Sequence, residues 1–399
     1  MKKQTRIQTC IMCFCLLIIS FSIVGQEAKP SLSKVRDDDY VWLHVDGAYI
    51  RKSPYCADPD GIWMGYGMAR KSDMPTPTAS QAEYFAQWCK NNHFNLVRIR
   101  WDVNNSDSGI IHRTINPYFK ALKALQIYSI LDCHSDMRDG WDANNPTGRC
   151  KTWLDNWLAI AQYYKDEPWI MGYELNNEPQ INSASMCRDL YKKCIEKIRS
   201  VDQKHILILG CYNWSHARGS AATWETGLPA DEQFRPDPPY NQVIFNFHEY
   251  PEVYGKDGSP MRPGYPVYTS IGKSNSITND QIAHIQEIYK VPFMCTEFGV
   301  KANNNSPPTV DEARKHLQEI IEMCYGQADF WKDFTGLNKA YPARGTPKGA
   351  GFRSWIAWWD YNNVEDSYDL FRWCQYMDIL SYAAEKQASP VPIVQSGIK

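Results

Sequence analysis

The sequence predicts an α/β protein, specifically a (β/α)8 TIM barrel with an N-terminal β-hairpin closing the bottom. Short, nearly continuous apolar runs recur eight times, as expected for parallel strands that are covered on both faces. Amphipathic segments with helical spacing lie between several of these runs. A barrel of this kind needs about 250 residues. The chain has 399, with the surplus in predicted loops at 213–240, 252–278 and 327–350.

The hairpin is predicted first, from the segment VWLHVDGAYIRKS, where two short alternating runs flank Asp46-Gly47. The eight barrel strands are predicted, in chain order, at 62–69, 94–101, 127–135, 169–178, 205–214, 243–250, 291–299 and 352–361. The intervening helices are predicted at 78–92, 117–126, 153–166, 186–200, 279–289 and 310–326. Thr78 is a suitable N-cap for the first of these helices.

The N-terminus is typical of a secretory signal peptide, because Lys2, Lys3 and Arg6 precede the apolar run CIMCFCLLIISFSIVG. A membrane-spanning helix is the alternative, but the run is short for a full span. We therefore predict a secreted or periplasmic protein with no membrane span in the mature chain. The predicted organisation is a signal peptide at 1–26, a flexible segment at 27–39, the barrel at 40–386 and a tail at 387–399.

Composition narrows the classes of partner and cofactor. The formal charge of −2 does not favour a nucleic-acid partner. The ten cysteines beyond the predicted signal peptide show no paired CxxC spacing, so no zinc site is expected. Cys133, Cys211 and Cys295 lie in strand-like runs and are interpreted as buried thiols, while any disulfide pairing stays open. Aromatic residues make up 13% of the chain, and Trp and Tyr also stack on flat apolar ligand faces such as those of sugar rings.

Polar residues fall where the apolar runs end. Functional residues of this barrel type sit at the C-terminal ends of the strands. The run WIMGYELNNEP, for example, ends in Asn177, Glu178 and Pro179. The other strand-end candidates are Arg98, Asp132, His134, His248, Tyr250, Glu297, Trp355, Trp358 and Trp359, of which Asp132 is interpreted as structural.

Two of these residues, Glu178 and Glu297, supply the pair of carboxyl groups that glycoside hydrolysis requires. One carboxyl must stay protonated to donate to the leaving oxygen, and the other must be ionised to attack the anomeric carbon. Arg98 is the candidate partner that would favour the ionised form of Glu297. Asn177 could bond a sugar 2-hydroxyl group, a contact that strengthens in the transition state.

The motifs NLVRIR, LDCHS, NNEP, FHEY, TEFG and SWIAWWDY, in this order, resemble those of glycoside hydrolase family 5 in clan A. The resemblance covers about residues 40–385. It departs from the family pattern at Arg100-Trp101, where a proline is common, and in several loops. These departures affect the prediction of the substrate more than the prediction of the reaction type.

The resemblance implies that Glu178 is the general acid/base and Glu297 the nucleophile of a retaining enzyme. It also implies that the substrate site is lined by Arg98, His134, Asn177, His248, Tyr250 and Trp358. A retaining mechanism would place the two carboxyl groups about 5–5.5 Å apart. No cofactor or metal is expected. The expected partner is an oligo- or polysaccharide, a β-linked glucan or mannan, and the protein is expected to be a monomer.

The sequence leaves two alternatives open. An exo-acting β-glycosidase of another linkage could use the same barrel, with the long loops deciding whether the cleft is blocked. A catalytically dead carbohydrate-binding protein is the second, although such a protein has no reason to keep both glutamates. Trp101, Trp141 and Trp214 are each interpreted as either a sugar platform or core filler.

Overall fold

The computed structural model describes residues 42–46, 49–52, 63–68, 76–103, 109–135, 137–212, 214–215, 234, 241–249, 292–298 and 354–359. They all belong to one compact unit, Val41–Lys399. The predicted signal peptide, the tail and the helices at 279–289 and 310–326 lie outside these ranges. None of the helices in the described part of the chain is long and apolar enough to cross a membrane.

The predicted barrel is confirmed: eight strands close into a ring in which every neighbouring pair is parallel. After the hairpin strands β1 (Leu43–Asp46) and β2 (Tyr49–Lys52), the barrel strands are β3 (Trp63–Met68), β4 (Leu96–Trp101), β5 (Tyr128–Cys133), β6 (Ile170–Glu174), β7 (Ile206–Gly210), β8 (Val243–Glu249), β9 (Phe293–Phe298) and β10 (Ser354–Trp359). Each predicted strand run contains one of them, and β10 pairs with β3 to close the ring.

In the part of the chain that the structure describes, four α-helices pack outside the first half of the barrel: α1 (Ala79–Asn91), α2 (Asn116–Ala124), α3 (Gly148–Tyr164) and α4 (Ala184–Arg199). A π-helical turn, Ile110–Ile115, leads into α2. The predicted cap of α1 is confirmed, because Thr78 accepts from the backbone of Gln81 while the Gln81 side chain accepts from the Thr78 backbone. Ser183 caps α4 by accepting from the Met186 backbone.

The hairpin lies at the N-terminal end of the barrel strands, as the sequence predicts. Leu43 and Ile50 pack against apolar side chains of the barrel interior. The Val45 backbone donates to Gln242, the residue that precedes β8, at 2.7 Å. The Trp42 ring meets that of His205, which precedes β7, edge-on at 5.1 Å. The hairpin therefore closes the bottom of the barrel and leaves the C-terminal ends of the strands for a site.

The barrel interior has two distinct levels. The lower cluster is apolar and consists of Leu43, Ile50, Leu96, Tyr128, Ile130, Met171, Ile206, Ile208, Ile244 and Met294. Directly above it lies what we call the charged layer: Arg98, Asp132, Glu174, Asn246 and Thr296, all buried. Outward-facing residues of the same strands, such as Val97 and Ile99, join the larger core between strands and helices. This alternation is the period-2 geometry of a strand.

Gly172 is required by a close backbone approach between β6 and β7. A Cβ atom at this position would lie 2.3 Å from the Ile206 carbonyl oxygen. The register between β5 and β6 also shifts near this point, between Ser129 and Ile130. The strand that carries Glu174 to the charged layer therefore depends on a residue without a side chain.

Candidate active site

Arg98 lies at the centre of the upper barrel and is completely buried. Its Nε and Nη2 atoms donate to the two oxygens of Glu174 at 2.5 and 3.0 Å. Nη1 donates to Glu297 at 3.0 Å, and Nη2 also lies 2.6 Å from the Asn177 amide oxygen. The carboxylate of Asp132 is 3.1 Å away. These anionic neighbours overcome the effect of burial and raise the pKa of Arg98, so it is a permanent cation.

Glu297 reaches the site because β9 contains a bulge. Phe247 of β8 pairs with Cys295 and His248 pairs with Glu297, so Thr296 is an extra residue. The bulge allows Thr296 and Glu297, although consecutive, both to reach the cluster around Arg98. The contact between Arg98 and Glu297 is the ion pair that the sequence predicts. A guanidinium at this distance favours the ionised form of the carboxylate.

Glu178 lies beside His248 at the same end of the barrel. The His248 Nδ1 atom is 3.0 Å from the Glu178 carboxylate, whose side chain is 21% exposed. Burial lowers the pKa of His248, but the carboxylates of Glu297, Glu174 and Glu178 outweigh it and raise the pKa to about 10. His248 is therefore a cation at neutral pH and donates to Glu178.

The two predicted catalytic carboxylates lie close together. One oxygen of Glu178, one of Glu297 and a ring nitrogen of His248 all fall within 4.8 Å of one another. Two carboxylates at this separation resist simultaneous ionisation. Each of them also has a cation within hydrogen-bonding distance, Arg98 for Glu297 and His248 for Glu178. The same three groups could in principle bind a metal ion, but the adjacent Arg98 and the cationic His248 both oppose a further positive charge.

The structure also brings together other predicted site residues. The backbone N–H of Asn177 donates to the Cys133 carbonyl at 2.9 Å, which holds the Asn177 side chain over Arg98. His134 lies 2.7 Å from Asp132 through Nδ1. Burial, followed by the charges of Arg100, Arg98 and His248, lowers the pKa of His134, so this imidazole is neutral. Tyr250 lies outside the described residues, and Trp358 is described only as part of the backbone of β10.

Sequence reasoning missed Glu174, Asn246 and Thr296. Glu174 accepts from the Asn246 amide at 2.6 Å and from the Thr296 hydroxyl at 2.8 Å. The signal for Glu174 was present, since it is a charged residue inside an apolar run that alternates into the barrel. Asn246 and Thr296 carry no comparable signal in the sequence. Asp132, interpreted from the sequence as structural, is indeed completely buried and paired with Arg98 and His134.

The three candidate tryptophans separate by exposure. Trp101 and Trp141 are 0% and 9% exposed and form part of the core, whereas Trp214 is 43% exposed. Trp214 and Ser215 both have positive φ angles, of 66° and 52°, in the segment after β7. The Trp214 backbone donates to the Pro179 carbonyl, and the Ser215 hydroxyl donates to the Asn177 carbonyl. This turn is therefore fixed against the segment that carries Glu178.

Buried thiols are also found where they were expected. Among the described residues, Cys133, Cys211 and Cys295 are buried, and so are the other four cysteines. Burial raises the pKa of the Cys133 thiol, as expected for an unreactive core cysteine.

The sequence profile of the family described as Cellulase (glycosyl hydrolase family 5) matches residues 62–331. A β-xylosidase of Phanerodontia chrysosporium is 25% identical over 43% of this chain and 40% of its own. Mannan endo-1,4-β-mannosidase 1 of Arabidopsis thaliana is 26% identical over 44% of this chain and 43% of its own. The chain thus spans less than half the length of the curated relatives it matches.

Solved structures support the fold. A triple mutant of the endo-β-1,4-glucanase from Xanthomonas axonopodis pv. citri superposes with a TM-score of 0.51 and 20% identity, covering 81% of this chain and 99% of that one. A protein from Cytophaga hutchinsonii superposes with a TM-score of 0.51 and 16% identity, over 80% and 82% of the two chains. At these identities the likeness concerns the barrel architecture alone.

Proposed function

Because this chain belongs to glycosyl hydrolase family 5, with a matching profile over residues 62–331, we propose that it is a retaining β-glycoside hydrolase. The observation that carries the proposal is the carboxyl pair itself. One carboxylate oxygen of Glu178 lies within 4.8 Å of one carboxylate oxygen of Glu297. Glu178 lies beside His248, and Glu297 lies beside Arg98. This separation suits direct attack on the sugar, since an inverting pair leaves about 6.5–9.5 Å for a water.

In the first step, the Glu297 carboxylate attacks the anomeric carbon while Glu178 gives its proton to the leaving oxygen. The glycosidic C–O bond breaks, and a covalent glycosyl ester on Glu297 forms. In the second step, Glu178 removes a proton from water as that water attacks the same carbon. The ester bond breaks, Glu297 is released as a carboxylate, and the configuration at the anomeric carbon is retained.

The other site residues have supporting roles in this proposal. Arg98 keeps Glu297 ionised, and His248 holds Glu178 by its Nδ1 donor. Asn177 turns its carbonyl oxygen towards Arg98, which places its Nδ2 group at the opposite end as a donor for a sugar 2-hydroxyl. His134, Tyr250 and Trp358 are proposed to line the substrate site, on the strength of the family motifs. The chemistry needs no cofactor.

The proposed substrate is a β-linked glucan or mannan. This follows from the family and from the mannosidase and xylosidase activities named for the relatives. The exposed indole of Trp214, beside the Glu178 segment, offers an apolar face of the kind that stacks on a sugar ring. The loops that would distinguish endo from exo action lie outside the described residues.

We also propose export through the N-terminal segment. The basic residues and apolar run within 1–26 motivate this, as does the proposed polymeric substrate. The mature protein would consist of a flexible segment, the barrel at 40–386 and a tail. The intact mass of protein recovered from outside the cytoplasm tests it, since a full-length mass would contradict cleavage near residue 26.

The deciding experiment is hydrolysis of β-glucans, β-mannans, xylans and aryl β-glycosides by wild type, Glu297→Gln and an Asp166→Asn control. Asp166 is a surface carboxylate that pairs with Lys204. We expect wild type and the control to cut one polymer class, and Glu297→Gln to lose at least about 10³-fold in kcat. Proton NMR of the first products should show the retained anomer. An inverted product would overturn the nucleophile role, and glycan binding without cleavage would favour a binding protein.

A further inference from the structure

Besides Glu178 and Glu297, the upper barrel holds the carboxylates of Asp132 and Glu174, and the proposed reaction does not use Glu174 directly. It is the last residue of β6 and is completely inaccessible to solvent. It lies in the charged layer beneath Glu178 and Glu297. A carboxylate buried this deeply costs several kcal/mol unless its charge is compensated.

The environment of Glu174 provides that compensation. One oxygen accepts from Arg98 Nη2, Asn246 and Thr296, and the other accepts from Arg98 Nε. Burial raises the pKa of Glu174, but Arg98, followed by His248, lowers it to about 2. Glu174 therefore carries a fixed negative charge throughout the pH range in which a glycosidase works.

This fixed charge contacts both cations of the site. It binds Arg98 through two parallel N–H···O bonds, a geometry that fixes the plane of the guanidinium. His248 Nε2 lies 3.8 Å from the nearer Glu174 oxygen, while Nδ1 on the other side of the ring faces Glu178. Arg98 in turn contacts Glu297. Each catalytic carboxylate thus contacts a cation whose other side faces Glu174, hydrogen-bonded in the case of Arg98 and at 3.8 Å in the case of His248.

We propose that Glu174 is a positioning residue that holds Arg98 against Glu297 and His248 against Glu178. The inference rests on the proposed roles of Glu178 and Glu297 and deepens them. Without Glu174, Arg98 would lose its two-point support and His248 would lose one of the negative charges that keep it protonated. The groups facing His248 are Glu174 of β6, Glu178 of the following segment, Glu297 of β9 and His134 after β5, while Arg98 of β4 contacts the same Glu174 oxygen.

The principal variant is Glu174→Gln, with Asp202→Asn as its matched control. Asp202 is also a buried carboxylate, bound to Tyr173 and His205, but it lies outside the barrel interior. Both variants remove one buried negative charge, and both should lower the melting temperature. Only Glu174→Gln should lower kcat, by about 10²-fold with KM changed by less than about threefold, because displaced catalytic groups lose rate rather than binding.

The pH profile distinguishes positioning from simple support of the fold. Removing a fixed negative charge lowers the pKa of every acid close to it. In Glu174→Gln, both limbs of the profile of kcat against pH should therefore move to lower pH, by about one unit. Asp202→Asn should keep the wild-type profile. A folded Glu174→Gln protein with a wild-type profile and a kcat no lower than the control would overturn the proposal.

A readout independent of activity separates this proposal from the proposed function. In protein labelled at histidine, NMR titration should show the pKa of His248 lower by at least about one unit in Glu174→Gln, with His248→Gln used to assign the signal. If the pKa of His248 is the same in Glu174→Gln as in wild type, the proposal that Glu174 acts on His248 is wrong, even if the wild type proves inactive on every substrate. Inactivity of the wild type alone contradicts only the proposed function.

Glu174→Asp decides the matter if the glutamine variant does not fold. The shorter side chain keeps the charge but withdraws it from Arg98. We expect both limbs of the profile of kcat against pH to stay within about 0.3 pH units of wild type, because the negative charge remains. We expect kcat to fall about tenfold, because the two hydrogen bonds that orient Arg98 are lost. A folded Glu174→Asp protein with wild-type kcat would show that the precise hold on Arg98 is unimportant and would overturn the proposal.

Discussion

The lower cluster and the charged layer are built on the same strands, only two residues apart. Leu96 and Arg98 follow one another on the inner face of β4, and Ile130 and Asp132 do so on β5. Below, apolar side chains fill the interior with contacts that have no required direction. Above, a buried arginine is held by carboxylates at defined distances and angles.

The difference separates what closes the barrel from what performs its chemistry. Apolar packing tolerates substitutions that conserve volume, because neighbouring side chains can adjust. A buried ionic network does not, since removal of one member leaves its partners charged in a medium of low polarity. The two levels should therefore respond differently to mutation and to pH, and three measurements test this, from the largest expected effect to the smallest.

Arg98→Met should give the largest loss of stability. The substitution removes the cation that Glu174, Glu297 and Asp132 share, while the apolar side chain leaves their charges uncompensated. We expect the free energy of unfolding to fall by about 3–5 kcal/mol. Urea denaturation at neutral pH measures it, with activity lost in the same protein. A loss below about 1 kcal/mol would mean that the charged layer is as tolerant as the lower cluster.

The pH dependence of stability should come from the upper level. The pKa of His248 is raised from 6.5 to about 10, so its contribution is complete below about pH 6.5 and is lost as pH rises through about 10. The pKa of Glu174 is lowered from 4.5 to about 2, so its contribution is complete above about pH 4.5 and is lost as pH falls towards 2. Each group changes stability by at most about 1.4 kcal/mol per pH unit.

Urea midpoints measured from pH 3 to 10 should therefore be highest between about pH 4.5 and 6.5. His248→Gln should reduce the alkaline slope and change the acid slope less, because Arg98 is the larger cause of the low pKa of Glu174. If the His248→Gln curve runs parallel to the wild-type curve at alkaline pH, the slope comes from other groups and His248 is not charged in the folded protein.

Ile130→Val should have the smallest effect. It removes one buried methylene from the lower cluster, two residues before Asp132 on the same face. The free energy of unfolding should fall by about 0.5–1.5 kcal/mol. Because no charge is disturbed, kcat and the dependence of stability on pH should both match the wild type. A shifted pH–rate profile in this variant would show that the two levels are coupled and that their separation is wrong.

Much of the candidate site could be predicted from the sequence because each strand run ends in polar residues. The ends of parallel strands meet at one rim, so Arg98, Asn177, Glu178, His248 and Glu297 could be grouped without coordinates. The ion pair between Arg98 and Glu297 was predicted in this way and is confirmed at 3.0 Å. The catalytic roles of Glu178 and Glu297 stay predictions, and so do the substrate contacts assigned to the other site residues, Tyr250 and Trp358 included.

The sequence by itself determined the strands, the hairpin, the Thr78 cap of α1 and the rim on which the site lies, because these follow from local periodicity and chain order. Only the tertiary structure decided which of Trp101, Trp141 and Trp214 is exposed, and that Thr296 and Glu297 face the same cluster across a bulge. It also decided the place of Glu174, which sequence alone presents as one acid in an apolar run. Its partners come from strands 72 to 122 residues away, and no local pattern records which side chains a closed barrel brings together.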